Sequence, residues 1–295
     1  MLVSTEAGGL GNRIKSWVSA SRQDAAARVF WPRTDNMPAA FDDLFANDCG
    51  IGDLPAGARE HRSWRLAVLP GDLAELPEGF AVAGGGPHPL IRRAGRLWWR
   101  LRGEPDDRYR YMIAPKKFSR QSARRDGRNI DFEYGRIPDY FRTVYAPIFD
   151  GIEVLPDIRA LIAGFAAREL DESVIGVQVR TWRDDPRRHR KHHRTAIGRL
   201  TRLLESAADD CRFFVVSDDD DIVPWLGRLV GASRVVAYPR ETPRRASWQS
   251  VTGMVEDLID MMLLSRSEQL YASYLSTFSE TAWWLGGARA RVSVF

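Results

Sequence analysis

The sequence is poor in cysteine, in long apolar runs and in lysine. Its two cysteines, Cys49 and Cys211, are far apart and lack ligand-like spacing, so neither a disulfide framework nor a zinc site is indicated. No stretch approaches the roughly 20 apolar residues of a membrane span. The first residues lack the basic flank and long apolar core of a signal peptide, so we expect a cytoplasmic location.

Arginine supplies most of the positive charge, and the net charge is +4. Residues 91–102 and 186–194 form two basic clusters, which either attract phosphates or are solvated loops. No helix-turn-helix, zinc-finger or RNA-binding signature accompanies them, so nucleic acid is not the expected partner. His189, His192 and His193 have neither a cysteine partner nor a His-Glu-x-x-His frame, so we expect no metal site.

The totals indicate a folded protein with two domains. The hydrophobic fraction is 44%, with ten tryptophans and thirteen phenylalanines, which argues against disorder. A chain of 295 residues is long enough for two modest domains. Prolines recur between residues 134 and 156, and the boundary is placed there. The predicted domains are residues 1–150 and 151–295.

From residue 156 onward, helical and strand patterns alternate. Such alternation predicts right-handed crossovers and a doubly wound parallel sheet, and so an α/β fold. The predicted helices span residues 157–170, 195–207, 222–229, 248–264 and 278–285. The predicted strands span residues 174–179, 212–217, 234–238, 269–274 and 290–295.

Arg180 follows the most clearly buried of these strands, which is rich in β-branched residues. Ligands of open α/β sheets gather at the carboxyl ends of strands. The planar guanidinium suits two oxygens of a phosphate better than the point charge of a lysine does. Arg180 is therefore either an anion-binding residue or a strand-end arginine paired with a neighbouring carboxylate.

Near the amino terminus, the pattern predicts a strand over residues 2–7, a glycine loop, and a helix with Ile14, Trp17, Val18 and Ala25 on one side. Glycines let backbone amides approach an anion, and a helix amino terminus adds partial positive charge. The loop is neither a Walker loop nor the dinucleotide fingerprint. It is either a phosphate or sugar site or a tight structural turn.

The carboxyl ends of parallel strands share one edge, which predicts a binding crevice. The acidic run of residues 218–221 consists either of solvated charges or of a helix cap followed by ion pairs. Asp260 lies in an apolar helix and needs a partner if it faces inward; otherwise it faces water. The residues expected to converge are Arg180, Asp184, Ser217, Asp218, Asp219, Ser276 and Thr277.

Several ordered motifs resemble those of the fucosyltransferase superfamily, which includes α1,6-fucosyltransferases, nodulation fucosyltransferases and protein O-fucosyltransferases. The resemblance implies a GT-B fold, in which two Rossmann-like domains face each other. It also implies GDP-fucose as donor, bound mainly by the carboxy-terminal domain, without a metal or other cofactor. The motifs are Gly8-Gly-Leu-Gly-Asn-Arg13, Gly176-Val-Gln-Val-Arg180, Phe213-Phe-Val-Val-Ser-Asp-Asp219, Asp260-Met-Met-Leu-Leu-Ser265 and Tyr274-Leu-Ser-Thr-Phe-Ser279.

The resemblance also implies roles for individual residues. Arg180 resembles the arginine that grips the donor pyrophosphate, and Asp260 the carboxylate that recognises guanine. Asp184 resembles the acidic residue that follows the arginine, and Asn12 the glycine-loop asparagine near the reacting centre. The predicted catalytic residues are Arg180, Asp184 and Asn12. The predicted donor-binding residues are Gly9, Gly11, Asn12, Arg13, Arg180, Ser217, Asp218, Asp219, Asp260, Ser276, Thr277 and Phe278.

Three departures from the superfamily pattern limit what the resemblance implies. Gln178 stands where a histidine is frequent, and Thr181 stands where the α1,6 enzymes have a second arginine. The lysine and glutamate that those enzymes carry further along have no match in residues 184–188, so an α1,6 linkage is not supported. The predicted function is an inverting transfer of fucose, or of a related GDP-linked sugar, to a hydroxyl of a glycan or another small acceptor. Asp184 is the expected base and Asp185 its competitor, unless departure of GDP makes a strong base unnecessary. The alternatives are a non-catalytic GDP-sugar-binding relative and a nucleic-acid-binding protein.

Overall fold

Two five-stranded sheets organise the chain, one in each half. The structure is a computed structural model and describes residues 2–4, 8–54, 59–61, 66–68, 139–183, 185–274 and 276–295. Asp184 and the basic cluster of residues 91–102 lie outside the described residues.

The amino-terminal sheet has the strand order β3-β2-β1-β5-β4. Strand β2 is parallel to both β1 and β3, whereas β5 runs antiparallel to β1 and β4. The predicted strand is confirmed over residues 2–4, and its residues 5–7 lie outside the described ranges. The glycine loop and the helix after it are confirmed. The elements are β1 (Leu2–Ser4), α1 (Leu10–Gln23), β2 (Arg28–Phe30), β3 (Gly50–Ile51), β4 (Arg59–His61) and β5 (Leu66–Val68).

Helix α1 buries one apolar face because Ile14, Trp17 and Val18 recur at helical spacing. Trp17 packs edge-on against Phe41, with ring centroids 5.2 Å apart. The placement of Ala25 on this face was wrong. The helix ends at Gln23, and Ala25 is exposed in the turn that follows.

The carboxy-terminal sheet has the order β10-β9-β6-β7-β8, and every neighbouring pair is parallel. The predicted parallel α/β sheet is confirmed. Helix α2 (Asp139–Asp150) precedes this half along the chain. The helices of the half itself are α3 (Pro156–Glu169), α4 (Pro186–Glu205), α5 (Ile222–Val230), α6 (Val251–Leu264) and α7 (Thr277–Leu285). Its strands are β6 (Val174–Val179), β7 (Arg212–Ser217), β8 (Val235–Val236), β9 (Gln269–Ala272) and β10 (Arg291–Val294).

Strand β6 lies at the centre of this sheet and is buried along its whole length. Successive side chains of a strand point to opposite faces. Accordingly, Val177 belongs to a core cluster with Leu200 of α4 and Leu226 of α5. Val174 belongs to the other cluster, which includes Leu258 of α6. Helices therefore cover both faces of the sheet, as in a doubly wound fold.

Helix α4 begins at Pro186 and not at residue 195, so the interpretation of residues 186–194 as a solvated loop was wrong. Proline is favoured at the first position of a helix because its missing N–H has no partner there in any case. Arginine and lysine are good helix formers, so the basic run can continue the helix. The basic run has no apolar periodicity, so the sequence did not predict a helix there.

The two halves meet where α1 packs on α7. Lys15 Nζ of α1 lies 2.7 Å from Glu280 Oε1 of α7, and their side chains are 0% and 4% exposed. Residues after α2 also contact the amino-terminal half, since the Leu155 N–H donates to the Leu44 carbonyl at 3.1 Å. The domain boundary near residue 150 stays a prediction.

No helix of the described ranges is long and apolar enough to cross a bilayer. Both cysteines are free thiols. Burial raises the pKa of Cys49 to about 11, against the effect of nearby Arg28, so that thiol stays protonated near neutral pH.

Candidate active site

The carboxyl end of β6 delivers Arg180 between the ends of its two neighbouring strands. Because β9, β6 and β7 are adjacent and parallel, Ser273 follows β9 on one side and Asp218 follows β7 on the other. The side chain of Arg180 is 40% exposed. The structure thus brings together at one edge the strand ends that the sequence placed in a common crevice.

Arg180 makes an ion pair with the acidic run. Its Nη1 lies 3.0 Å from Asp218 Oδ2, and its guanidinium carbon lies 5.1 Å from the ring centre of Trp182. The pairing with a neighbouring carboxylate is therefore present. A planar guanidinium has five N–H donors, and this ion pair occupies one edge of it. The ion pair therefore leaves donors of Arg180 that an anion can use.

Asp219 and Asp221 link two arginines that the sequence did not single out. Asp219 Oδ2 lies 2.8 Å from Arg183 Nε, and Asp219 Oδ1 lies 2.6 Å from Arg245 Nη2. Asp221 contacts the same two arginines. Hydrogen bonds from Arg245 and then Arg183 hold the pKa of Asp221 below its usual value. The acidic run is therefore paired, and its members are not independent solvated charges.

One aspartate of the run caps a helix, but not the helix that follows it in sequence. Asp220 accepts from the backbone N–H groups of Arg244, at 2.8 Å, and of Arg245, at 3.3 Å. These residues begin a 3-10 helix, Arg244–Gln249, ahead of α6. Asp221, at the start of α5, makes no side-chain cap. The acidic run therefore anchors the loop between β8 and α6.

Asp260 faces inward and is fully buried. Its Oδ2 accepts from Arg240 Nη1 at 2.8 Å and from Arg244 Nη1 at 2.7 Å. Its Oδ1 has no hydrogen-bond partner within the described part of the chain. The alternative of a solvated Asp260 is thus wrong, and one carboxylate oxygen is left as an acceptor.

Two more acidic residues of α6 surround Arg240. Arg240 Nη1 lies 2.8 Å from Asp257 Oδ1, and Arg240 Nε lies 3.4 Å from Glu256 Oε2. Burial raises the pKa of Asp257 to about 6, while the charge of Arg240 opposes the shift. The carboxyl group of Asp257 is therefore about half protonated near pH 6. Below that pH, Arg240 and its acidic partners together carry one negative charge fewer.

The glycine loop has a packing role that its composition alone could not reveal. A Cβ added at Gly11 would lie 2.9 Å from the Thr277 carbonyl oxygen and 3.0 Å from Thr281 Oγ1. Thr281 Oγ1 lies 2.7 Å from the Thr277 carbonyl oxygen and 3.2 Å from the Gly11 carbonyl oxygen, and its single hydrogen is shared between them. Gly11 therefore permits the close approach of α1 to α7, which brings the loop beside Ser276 and Thr277. Gly9 precedes α1 and has open space at its Cβ position.

Asn12 and Arg13 follow in the first turn of α1 and differ in their surroundings. Asn12 is partly buried, and its Oδ1 has no partner among the described residues. Arg13 is 1% exposed and donates to the carbonyls of Gly8 and Pro32 at 2.8 and 2.9 Å. Its guanidinium lies over Trp31, so Arg13 ties the glycine loop to the amino-terminal core.

The remaining predicted donor residues lie at the end of β7 and at the start of α7. Ser217 donates to the Val179 carbonyl at 2.9 Å and so joins β7 to β6. Ser276 caps α7 by accepting from the Ser279 N–H. Phe278 is half-buried in the first turn of α7. Their contacts with a donor stay predictions.

Gly11→Ala is expected to destabilise the protein and to lower its affinity for any ligand that contacts both halves. The added methyl group would press on backbone atoms of α7, which cannot rotate away, and overpacking of this kind typically costs about 1–3 kcal/mol. Urea denaturation measures the change. Gly9→Ala is the matched control, since nothing lies near its Cβ position; equal stability of the two variants would contradict the packing role.

The remaining polar groups of the site include a second buried acceptor. Gln178, at the end of β6, is 3% exposed, and its Oε1 lacks a partner within the described ranges. The Asp185 N–H donates to the Trp182 carbonyl at 2.9 Å. The described residues contain no group of three or more His, Cys, Asp or Glu side chains arranged to hold a metal ion.

No known sequence family and no curated protein matches the chain. Among solved structures, fucosyltransferase NodZ from Bradyrhizobium is 17% identical with a TM-score of 0.49, and the match covers 95% of this chain and 90% of that chain. The apo form of POFUT1 is 11% identical with a TM-score of 0.49, and the match covers 99% and 96% of the two chains.

A further similar structure is that of a mutant of FUT1 from Arabidopsis thaliana in complex with GDP. It is 17% identical with a TM-score of 0.44, and the match covers 99% of this chain and 69% of that chain.

Proposed function

We propose that this chain is an inverting glycosyltransferase that moves fucose, or a related sugar, from a GDP-linked donor to a hydroxyl group. One observation carries the proposal. The half-exposed Arg180 lies at the carboxyl end of the central strand, at the edge where a doubly wound sheet binds ligands. The motif resemblance supports GDP-fucose as the donor.

In this proposal, Arg180 binds the diphosphate. Phosphate oxygens present the planar acceptor geometry that a guanidinium fork matches with two hydrogen bonds. Asp218 pairs with Nη1 of Arg180 at the strand end, and the diphosphate approaches the remaining N–H groups of the guanidinium. Arg180 supplies positive charge at the leaving diphosphate, so the proposed reaction needs no metal.

Asp260 recognises the guanine base in this proposal. Guanine presents N1–H and N2–H donors on one edge, and a carboxylate oxygen accepts from either. The Oδ1 atom of Asp260 is the buried acceptor without a partner in the described part of the chain. Two arginines on Oδ2 hold the carboxylate in place, and Oδ1 is the oxygen offered to the base. A base without an N–H donor at this edge would leave Oδ1 of Asp260 without a hydrogen-bond partner.

The transfer step forms a bond between the acceptor oxygen and the anomeric carbon and breaks the bond from that carbon to the diphosphate. The acceptor hydroxyl gives its proton to a base, for which Asp184 is proposed, and GDP leaves. Asn12, in the first turn of α1, orients the acceptor. The amino-terminal half thus supplies the acceptor side of the site.

Asp184→Asn is expected to reduce kcat by about 10²–10⁴-fold, the usual contribution of a positioned general base. GDP affinity should stay near the wild-type value because the base acts in the transition state. Steady-state kinetics and calorimetry measure the two quantities. Asp185→Asn is the matched control. Retained kcat in the Asp184 variant, or a parallel loss of GDP affinity, would assign Asp184 to the donor site instead.

Calorimetric titration with GDP, UDP and ADP tests the function. Selective binding of GDP is expected, followed by release of GDP from GDP-fucose when a hydroxyl acceptor is present. Selective GDP binding without turnover of any GDP-sugar would point to a non-catalytic binding protein. Equal affinity for the three nucleotides, or none, would overturn the proposal.

A further inference from the structure

The turn that carries Arg180, residues Arg180 to Arg183, is held at consecutive backbone groups. The Arg180 N–H donates to Ser273 Oγ at 2.8 Å, and the Thr181 N–H donates to Asp218 Oδ1 at 2.8 Å. The Thr181 carbonyl lies 2.8 Å from Nδ1 of His189. Three partners from three different segments therefore fix two adjacent residues of this turn.

Trp182, the next residue, has a φ of 56°, in the left-handed region. This region is unfavourable for a bulky side chain, and such residues persist only where the surrounding structure over-determines them. In this conformation the Trp182 ring lies 5.1 Å from the Arg180 guanidinium carbon. The turn thus adopts a backbone shape that its own sequence disfavours, and in that shape the Trp182 ring lies beside the Arg180 guanidinium.

His189 is the member of this set that comes from a helix, since it lies in the first turn of α4. A carbonyl oxygen can only accept, so Nδ1 of His189 carries the proton. The neutral ring therefore has its Nδ1–H tautomer, and the cation keeps the same bond. Contact between His189 and Thr181 consequently persists in both protonation states of the ring.

We propose that His189 is a positioning residue for Arg180. Its hydrogen bond to the Thr181 carbonyl holds the peptide that leads into the left-handed Trp182. Without that bond, Trp182 relaxes to a negative φ, and the guanidinium loses its fixed direction at the strand end. The inference rests on the proposed function in one respect, namely that Arg180 binds the donor diphosphate.

Three substitutions of His189 test this role, because they place a hydrogen-bond donor at the Nδ1 position, at the Nε2 position or at neither. His189→Asn places an amide nitrogen close to the position of Nδ1, whereas His189→Gln places it near the position of Nε2. His189→Phe keeps the ring and removes both donors. GDP and guanosine are titrated against each variant by calorimetry, and thermal unfolding is followed in parallel.

The Phe and Gln variants are expected to bind GDP about tenfold more weakly, the effect of losing one hydrogen bond. Their guanosine affinity should be unchanged, because guanosine lacks the diphosphate. The Asn variant should bind GDP within about twofold of wild type, since its donor restores the bond. If His189 contributed only to stability, its substitution would lower the unfolding temperature and would reduce the affinities for GDP and guanosine together.

Wild-type GDP affinity in His189→Phe overturns the inference, as does equal weakening of GDP and guanosine. Failure of His189→Asn to restore GDP binding that His189→Phe has lost overturns it too. Arg180→Ala separates this failure from failure of the proposed function. If Arg180→Ala binds GDP as wild type does, the proposed function is wrong; if it loses GDP while His189→Phe does not, only the role of His189 is wrong.

Discussion

Arg180→Ala is expected to abolish measurable GDP binding and turnover while the protein remains folded. The side chain is 40% exposed at a strand end, so its removal leaves no cavity in the core. Each charge-assisted hydrogen bond lost is worth about 1.5–3 kcal/mol, and a guanidinium makes two to a phosphate. Arg180→Lys should not restore binding because an ammonium lacks the fork. Calorimetry and the unfolding temperature measure the two effects.

Asp218→Asn is the matched control for this prediction. The asparagine oxygen can still accept from the Thr181 N–H, which Asp218 Oδ1 now does, and only the negative charge beside Arg180 is removed. A diphosphate is repelled less by the variant, so we expect GDP to bind as well as or more tightly than to the wild type. A folded Arg180→Ala variant with wild-type GDP affinity would contradict the donor role of Arg180.

Lys15→Met is expected to lower the free energy of unfolding by about 3–5 kcal/mol, the effect of removing one partner from a buried ion pair. Lys15 and Glu280 lie 2.7 Å apart with side chains 0% and 4% exposed. The variant leaves the Glu280 carboxylate buried without its cation. Since α1 and α7 belong to different halves, the change loosens the contact that brings the glycine loop to the end of β9. Urea denaturation gives the free energy.

The double variant Lys15→Met with Glu280→Met should recover part of this loss, because a buried ion pair replaced by apolar side chains of similar volume is frequently neutral in stability. Arg159→Met is the exposed control. Arg159 lies 3.9 Å from Glu153, and both side chains are more than half exposed, so the expected change is below about 1 kcal/mol. Similar losses for Lys15→Met and Arg159→Met would show that the buried pair contributes little.

The sequence predicted the carboxy-terminal sheet well because its signals are local and repeat. Strand β6 is a run of β-branched residues buried on both faces, and β7 has the bounds predicted from its aromatic and valine run. Helix α3 differs from its prediction by one residue at each end. Periodicity fails where charge replaces the apolar pattern, as in the first turns of α4.

The partners of the site residues could not be predicted in the same way. The sequence left two interpretations of Asp260 open. Helical periodicity indicates on which side of the helix a residue lies, but not which distant residues pack against that side. The partners, Arg240 and Arg244, stand in the loop between β8 and α6, at separations of 20 and 16 residues. Nothing in the composition of that loop distinguishes them from solvated arginines.

By itself, the sequence determined the alternation of strands and helices, the strand end that carries Arg180, and the resemblance to fucosyltransferases. Only the tertiary structure decided that Asp260 is buried beneath two arginines, that Gly11 is required for the packing of α1 on α7, and that His189 holds the Thr181 carbonyl. The reason is physical. Secondary structure follows from neighbours a few residues apart, whereas the pairing of buried polar groups depends on which distant segments the folded core brings into contact.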